Sequence, residues 1–364
     1  MNIQKYIEWA LSILSAFLVV YLLNIAVSRK DDWRLKIVVF IIKVLAFAGL
    51  AFLLIALAHP ILWKYGYPFA GLYVVLLADC LCDLVMFVIT LFTRKGYKTV
   101  RLIVSIIVTL IVVLYGTINS QIIRKNEITY YSSKLNSEHR FVFISDLHYG
   151  SSQRQDTIEK ALSEINALKP EFVLLGGDIT DEKTSRENME WIFNKLGSLD
   201  TKVFYIYGNH DRQDRGDYVG GRKYTEQELE DAIVNNGLII LKDDYTIINE
   251  LVILGREDIS RPDRVPLPDL KKLPDNKYVI CVDHSPYQNE EIREMKADLQ
   301  LSGHTHAGQF FPLHLVYSLA GLNVVNDYRF DDTDLFVSPG IGGWFYPYRN
   351  EANCQYEVVR LIPE

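Results

Sequence analysis

The chain has 364 residues, with 38 Lys+Arg against 45 Asp+Glu and a formal net charge of −7, long enough for more than one domain. The charge is unevenly spread: residues 1–125 are strongly apolar with 13 basic and 5 acidic residues, and the remainder holds 25 basic and 40 acidic. An acidic soluble part argues against bulk nucleic-acid binding, which needs a cationic surface, and four scattered cysteines give no disulfide framework or CxxC metal site.

Four apolar stretches, near 6–27, 35–58, 68–92 and 101–120, each reach the ~20 residues that cross a bilayer as a helix. They predict a multi-pass membrane domain over 1–125. The first and third connecting loops carry Arg29, Lys30, Arg34 and Lys36, and Arg94, Lys95, Lys98 and Arg101. The positive-inside bias places those loops in the cytoplasm, so everything after residue 120 is expected to be extracytoplasmic. Lys43, Asp79 and Asp83 lie within the spans, where ionisable groups are costly and need a partner or a wet cavity. They predict either a polar pocket for a lipid head group or an ion, or a buried Lys43–Asp83 pair that fixes helix packing. Two carboxylates and one lysine are few for a pathway, which favours the pair.

Residues 126–139 are polar and mixed and read as a linker. From 140 onward short apolar runs alternate with amphipathic helical stretches. The strand pattern over 140–145 ends in Asp146-Leu-His148, and 172–175 runs into Gly176-Gly-Asp178. The run 203–207 leads to Gly208-Asn-His-Asp211, 278–282 to Asp283-His284, and a final run to Gly303-His-Thr-His306. Helical periodicity is expected over 156–168, 184–197, 225–236 and 288–296. Such alternation implies a layered α/β arrangement, and ligands of these sheets gather beyond the carboxyl ends of the strands. Seven metal-binding side-chain types would meet there: Asp146, His148, Asp178, Asn209, His284, His304 and His306. Taken singly, each has a structural reading as a cap or turn residue; in this order, each at a strand end, they form a pattern.

The order D-x-H, G-D, G-N-H-D, a single His and G-H-x-H resembles that of the calcineurin-like metallophosphoesterases. The longer Gly303-His-Thr-His-Ala-Gly-Gln309 is similar to the membrane-associated bacterial branch of YkuE- and YaeI-like enzymes. The resemblance covers about residues 140–360; Pro339 stands where the branch is expected to carry a basic residue before a glycine. It implies an αββα sandwich over 140–364, so that, with the four apolar stretches, the chain is expected to be α+β, a bundle of four transmembrane helices followed by that sandwich. It further implies Asp146, His148 and His306 on one metal, Asn209, His284 and His304 on a second, and Asp178 bridging them. His210 would be the general acid, with Asp211 holding its imidazole.

Such a set of oxygen and imidazole ligands suits two divalent ions, Mn²⁺ first, with Fe²⁺ or Zn²⁺ as alternatives. Two ions about 3.5–4 Å apart clamp phosphoryl oxygens and acidify water, giving a hydroxide nucleophile near neutral pH. The expected reaction is hydrolysis of a phosphodiester or pyrophosphate bond, with a membrane lipid or lipid-linked phosphate as substrate. Phe310 and Phe311, directly after the last metal motif, are expected at an apolar lip that admits the lipid, or else in a core strand and helix. A different class, a membrane sensor or transporter component with a ligand-binding domain derived from a phosphoesterase, would keep the fold without turnover.

Overall fold

The computed structural model describes residues 3–28, 33–56, 61–93, 98–274 and 276–364. The chain divides into two compact units, Asn2–Ile118 and Asn119–Glu364. The basic loop residues Arg29, Lys30, Arg94 and Lys95 lie outside the described residues.

The first unit holds helices α1 (Ile3–Ser28), α2 (Trp33–Ala56), α3 (Ile61–Thr93) and α4 (Lys98–Asn119). Among the described residues, three stretches are long and apolar enough to cross a membrane: Lys5–Ala26, Gly66–Thr90 and Thr99–Asn119. This corrects the expectation of four. The second stretch, expected over 35–58, is a helix over Trp33–Ala56, but its side chains beyond residue 50 lie outside the described residues. Large side chains such as Leu22, Leu45, Phe92 and Ile111 are more than half exposed, as suits helices whose solvent is lipid.

Lys43, Asp79, Asp83 and Arg101 form one network with Asn24 across four helices. Lys43 Nζ of α2 lies 2.6 Å from Asp79 and 2.9 Å from Asp83 of α3. Arg101 of α4 pairs with Asp83, and Asn24 of α1 donates to Asp79 Oδ1 at 2.8 Å. Two cations meet two carboxylates, so the cluster is neutral and its donors and acceptors answer one another. The expected Lys43–Asp83 pair is present, with more partners than the sequence suggested. Asp79→Ala would strand the Asn24 amide and half of the Lys43 pairing at a site only 2% exposed. Removing one partner of a buried pair costs about 3 kcal/mol, so thermal unfolding of the detergent-solubilised protein, followed by helical signal, is expected to shift to clearly lower temperature.

The second unit is α+β and contains two six-stranded mixed sheets. The strands in chain order are β1 (Ile123–Ser132), β2 (His139–Ile144), β3 (Phe172–Leu175), β4 (Lys202–Tyr205), β5 (Ile239–Ile240) and β6 (Asp244–Ile248). They continue as β7 (Leu251–Gly255), β8 (Tyr278–Val282), β9 (Leu299–Ser302), β10 (Asn326–Phe330), β11 (Thr333–Val337) and β12 (Cys354–Pro363). One sheet has the order β1-β12-β2-β3-β4-β5, the other β10-β11-β9-β8-β7-β6. Side chains of β2 alternate faces with period two. Phe141 and Phe143, with Phe172 and Phe204, join Ile253, Ile280, Leu301 and Phe336 of the other sheet in the inter-sheet core. Val142 and Ile144 enter a second core with residues of α5 (Gln155–Ala167), α6 (Arg186–Gly197) and α7 (Glu226–Asn235).

Residues 126–132, read from sequence as linker, are the second half of β1, paired in parallel with β12 from Ile123↔Cys354 to Ser132↔Pro363. The polarity that suggested a linker is an alternation. Ile128 and Tyr130 pack on the inter-sheet core, while Glu127, Thr129 and Tyr131 are exposed.

Candidate metal centre

β2, β3 and β4 run parallel in one sheet, and β7, β8 and β9 run parallel in the other. Their carboxyl ends therefore open toward loops on a common edge of each sheet, and the turn after each carries the polar residues. Backbone bonds lock these turns together: Asp146 N–H donates to Gly177 O and His148 N–H to Asp178 O, both at 3.0 Å, and Gly303 N–H donates to His284 O at 3.0 Å.

Two groups of side chains there are each able to hold a metal ion: Asp146, His148 and His306, and Asp178, His284 and His304, with the ligand atoms of each group within 4.8 Å of one another. The groups adjoin. His148 Nε2 lies 3.1 Å from His306 Nε2 and 3.6 Å from Asp178 Oδ2, and that same oxygen is 3.1 Å from His284 Nε2. His304 Nδ1 is 3.3 Å from His284 Nε2. Asp178 thus touches a histidine of each group. Asn209, flanked by Gly208 and His210, has a buried Oδ1 without a hydrogen-bond partner. His210 N–H donates to Asp178 Oδ1 at 2.8 Å, which brings Asn209 beside the second group.

Several features suit metal ions rather than a self-contained hydrogen-bond cluster. Like donors face one another, as with the two imidazole Nε2 atoms, and a buried amide oxygen is left over, both costly without a cation. His284 Nδ1 lies 2.8 Å from the Gly176 carbonyl, which fixes the tautomer that leaves Nε2 as a ligand atom. Asp146, His148, Asp178, His304 and His306 all have positive φ, between 45° and 72°. Such backbone costs on the order of 1–3 kcal/mol per residue and persists where the surroundings enforce it, most often at functional sites. Gly303 permits the last turn to cross the first: a Cβ there would sit 2.1 Å from Asp146 Oδ2.

Charges answer one another across the site. Burial alone would favour neutral Asp178, but the neighbouring His284 and His210 imidazoles outweigh it and hold its carboxyl well below the usual range. Burial, reinforced by the neighbouring His284, pushes His304 down to about 4, so that ring is neutral and free to ligate near neutral pH.

Residues 139–308 match the family model described as calcineurin-like phosphoesterase. This stretch is a calcineurin-like metallophosphoesterase domain. The chain is 31% identical to an uncharacterized metallophosphoesterase of Helicobacter pylori over 243 residues, 64% of this chain and 62% of that one. It is 26% identical to phosphodiesterase YaeI of Escherichia coli over 237 residues, 61% of this chain and 81% of the relative. A transmembrane protein with metallophosphoesterase domain from Danio rerio is 25% identical over 276 residues, 71% of this chain and 62% of that protein. The chain spans less than two thirds of the length of the Helicobacter relatives it matches.

Within the metallophosphoesterase domain the remaining expectations separate. His210 lies at the site, its ring centroid 5.4 Å from that of His148 and 5.9 Å from that of Trp344. Asp211 does not hold the His210 imidazole. Its Oδ2 accepts the backbone N–H groups of Asp178 and Gly208 at 2.8 and 2.7 Å, and its Oδ1 that of Thr180 at 2.9 Å. A carboxylate one residue along the same turn is committed to closing the backbone, so it is spent before it can reach the ring. The partner of His210 is Glu182, whose Oε2 is 2.8 Å from Nδ1. Burial opposes the charged ring, yet the Glu182 and Asp178 carboxylates prevail and raise His210 to about 9. Phe310 and Phe311 also part: Phe310 is buried at 5% exposure against Tyr346 and Tyr348, whereas Phe311 is 43% exposed.

Sequence reasoning missed Glu182, Arg349 and Glu357. Asp181-Glu182, four residues beyond Asp178, was the one available signal for Glu182. Arg349 is wholly buried and donates to the His306 and Gly342 carbonyls at 2.7 Å, and also to Pro339 O, so it fastens the His306 turn to the loop after β11. Glu357 of β12 is wholly buried, accepts from Ser338 Oγ at 3.0 Å, and is pushed up to about 8, chiefly by burial. Its ordinary value is 4.5, so the folded state retains a proton that the unfolded chain releases. The contribution of Glu357 to the stability of the metal-free protein is therefore expected to be full below about pH 4.5 and to decline as pH rises toward 8, by at most about 1.4 kcal/mol per unit. Glu357→Gln is expected to flatten that decline in denaturant titrations at several pH values.

Proposed function

We propose that the chain is a membrane-anchored phosphoesterase with a dinuclear metal centre, hydrolysing a phosphodiester or pyrophosphate bond of a lipid-linked substrate at the extracytoplasmic membrane surface. The observation that carries the reading is the pair of adjoining ligand groups on strand-end turns whose backbone is held at positive φ. Asp146, His148 and His306 would hold one ion, and His284, His304 and Asn209 the other, with Asp178 between them. Mn²⁺ fits this mixture of imidazole and oxygen ligands, and Fe²⁺ or Zn²⁺ would also fit. When bound, the ions supply Lewis acidity toward phosphoryl oxygens and lower the pKa of water to near neutrality.

The chain's own residues do the rest. Glu182 fixes the His210 ring through Nδ1, leaving Nε2 to give a proton to the departing alkoxide. Trp344 stands beside that ring, half-buried, and limits the approach of bulk water. Asp211 keeps the 208–211 turn closed on Asp178. The likeness to a protein named phosphodiesterase YaeI supports a diester, and the apolar helices support a substrate at the membrane.

The test is a screen of purified full-length protein with Mn²⁺ against phospholipids, prenyl pyrophosphates, nucleotide-linked lipids and the soluble bis(p-nitrophenyl) phosphate. Turnover of one lipid class well above the soluble diester is the expected result; a preference for soluble monoesters would overturn the substrate reading. The orientation is tested separately: a protease added to intact cells should digest the domain, and full protection would place it inside.

A further inference from the structure

Directly after the last metal motif the chain forms a short helix, α9, Leu313–Leu319, counting α8 as Asn289–Met295. Leu313 is buried at 4%, but Leu315, Val316 and Leu319 are 46, 39 and 89% exposed, and Phe311 just before the helix is 43% exposed. Leu315 and Leu319 are one helical repeat apart, with Val316 beside them, so they share one face. From residue 311 to 322 the chain carries no Asp, Glu, Lys or Arg. A single exposed leucine needs no explanation. A contiguous apolar and uncharged face next to a reactive centre marks an interaction surface.

What covers that face is indicated by residues 349–352. Asn119 is the last residue of α4 and of the candidate span Thr99–Asn119. Its Nδ2 donates to the carbonyls of Arg349 at 3.1 Å and Ala352 at 3.0 Å. Between those residues, Asn350 Oδ1 accepts the Phe311 N–H at 2.8 Å. Glu351 accepts the His314 N–H at 3.1 Å and pairs with the His314 ring. The loop that grips Asn119, the residue at which the second unit begins, thus also grips the start of α9. Three or four residues of loop span about 10 Å, so α9 begins within about that distance of Asn119. Arg349 extends the same link to the His306 carbonyl.

We propose that the exposed face of α9 docks into the interfacial layer of the lipid bilayer, as a surface-lying contact beside the metal centre. An uncharged apolar face on a short helix, tied through one loop to Asn119, matches the acyl-chain boundary. A lipid-linked phosphate then reaches the metal-binding turns with its chain still in the membrane. The docking rests on the spanning reading of α4, and only its consequence for substrate rests on the proposed activity.

Two experiments test it. Full-length protein with its four native cysteines replaced and Leu319→Cys labelled with an environment-sensitive fluorophore is reconstituted into phosphatidylcholine vesicles containing spin-labelled phosphatidylcholine. Emission should shift to shorter wavelength and be quenched by labels near the head group. The same probe at Val234→Cys, an exposed position on α7, should show neither effect. Indistinguishable behaviour of the two probes overturns the proposal.

In the native-cysteine background, the doubly substituted Leu315→Glu, Leu319→Glu protein should hydrolyse soluble bis(p-nitrophenyl) phosphate like the parent. Its turnover of whichever phospholipid, prenyl pyrophosphate or nucleotide-linked lipid the parent hydrolyses in the screen, presented in phosphatidylcholine vesicles, should fall on the order of tenfold, as expected when interfacial apolar burial is lost. Equal loss on both substrates would make α9 a mere support of the site and overturn the docking. Absence of turnover in the parent protein would defeat the phosphoesterase reading, and fluorescence would still decide the docking.

Discussion

Asp178→Asn is expected to lose bound metal and turnover together, with activity falling by roughly 10³-fold or more, while the protein stays folded. The prediction follows from what Asp178 touches. One carboxylate oxygen lies 3.1 Å from His284 and 3.6 Å from His148, one histidine of each ligand group. The other accepts the His210 backbone N–H at 2.8 Å. An amide of the same shape retains that second contact through its oxygen, so the 208–211 turn remains closed. It then points an NH₂ group at the position between the two histidines and removes the one anionic group shared by both sites. Ions facing a donor in place of an acceptor, with one negative charge fewer, should dissociate. Metal content and melting temperature with and without added Mn²⁺ separate this from unfolding: the parent should be stabilised by the ion and Asp178→Asn should not.

A second substitution series tests how His210 works. His210→Ala should keep its metal and lose roughly 10²–10⁴-fold in turnover, the range contributed by a positioned general acid. The loss should be largest for alkyl phosphodiesters, whose leaving groups need the proton, and smallest for nitrophenyl esters. Glu182→Gln should reproduce that leaving-group pattern at smaller amplitude, because Glu182 acts through the ring it holds at 2.8 Å. Asp211→Asn should behave differently. Its carboxylate accepts three backbone N–H groups, and an amide has one oxygen to offer them, so a lower melting temperature is the expected outcome. A leaving-group effect in Asp211→Asn but not in Glu182→Gln would return Asp211 to the role the sequence suggested.

The candidate ligand positions were legible because each has a strong local cause. An apolar run ends, the backbone must turn tightly, and a glycine or a residue tolerant of positive φ stands beside a metal-binding side chain, as at Gly177-Asp178 and Gly303-His304. Partners supplied from a distance left no such trace. Glu182 looks like any surface carboxylate until the loop folds it beneath His210. Arg349 has no motif around it and matters only because the His306 turn and the loop after β11 converge on its guanidinium. β1 escaped for a different reason: its exposed positions are polar, and their alternation with half-buried ones reads as linker when no partner strand is in view. Phe310 and Phe311 show the limit of composition. Adjacent phenylalanines in one apolar run lie on opposite sides of the chain, one in the core and one at the surface. The spans over Lys5–Ala26, Gly66–Thr90 and Thr99–Asn119 were legible by length and hydropathy.

The most direct test of the central claim is the metal content of the full-length protein, purified without chelator and measured by elemental mass spectrometry alongside hydrolysis of bis(p-nitrophenyl) phosphate. The dinuclear account predicts about two divalent ions per chain, removed by chelator together with activity and restored together by Mn²⁺. Turnover that survives complete removal of metal, or a chain that binds no divalent ion at any concentration tried, would contradict it.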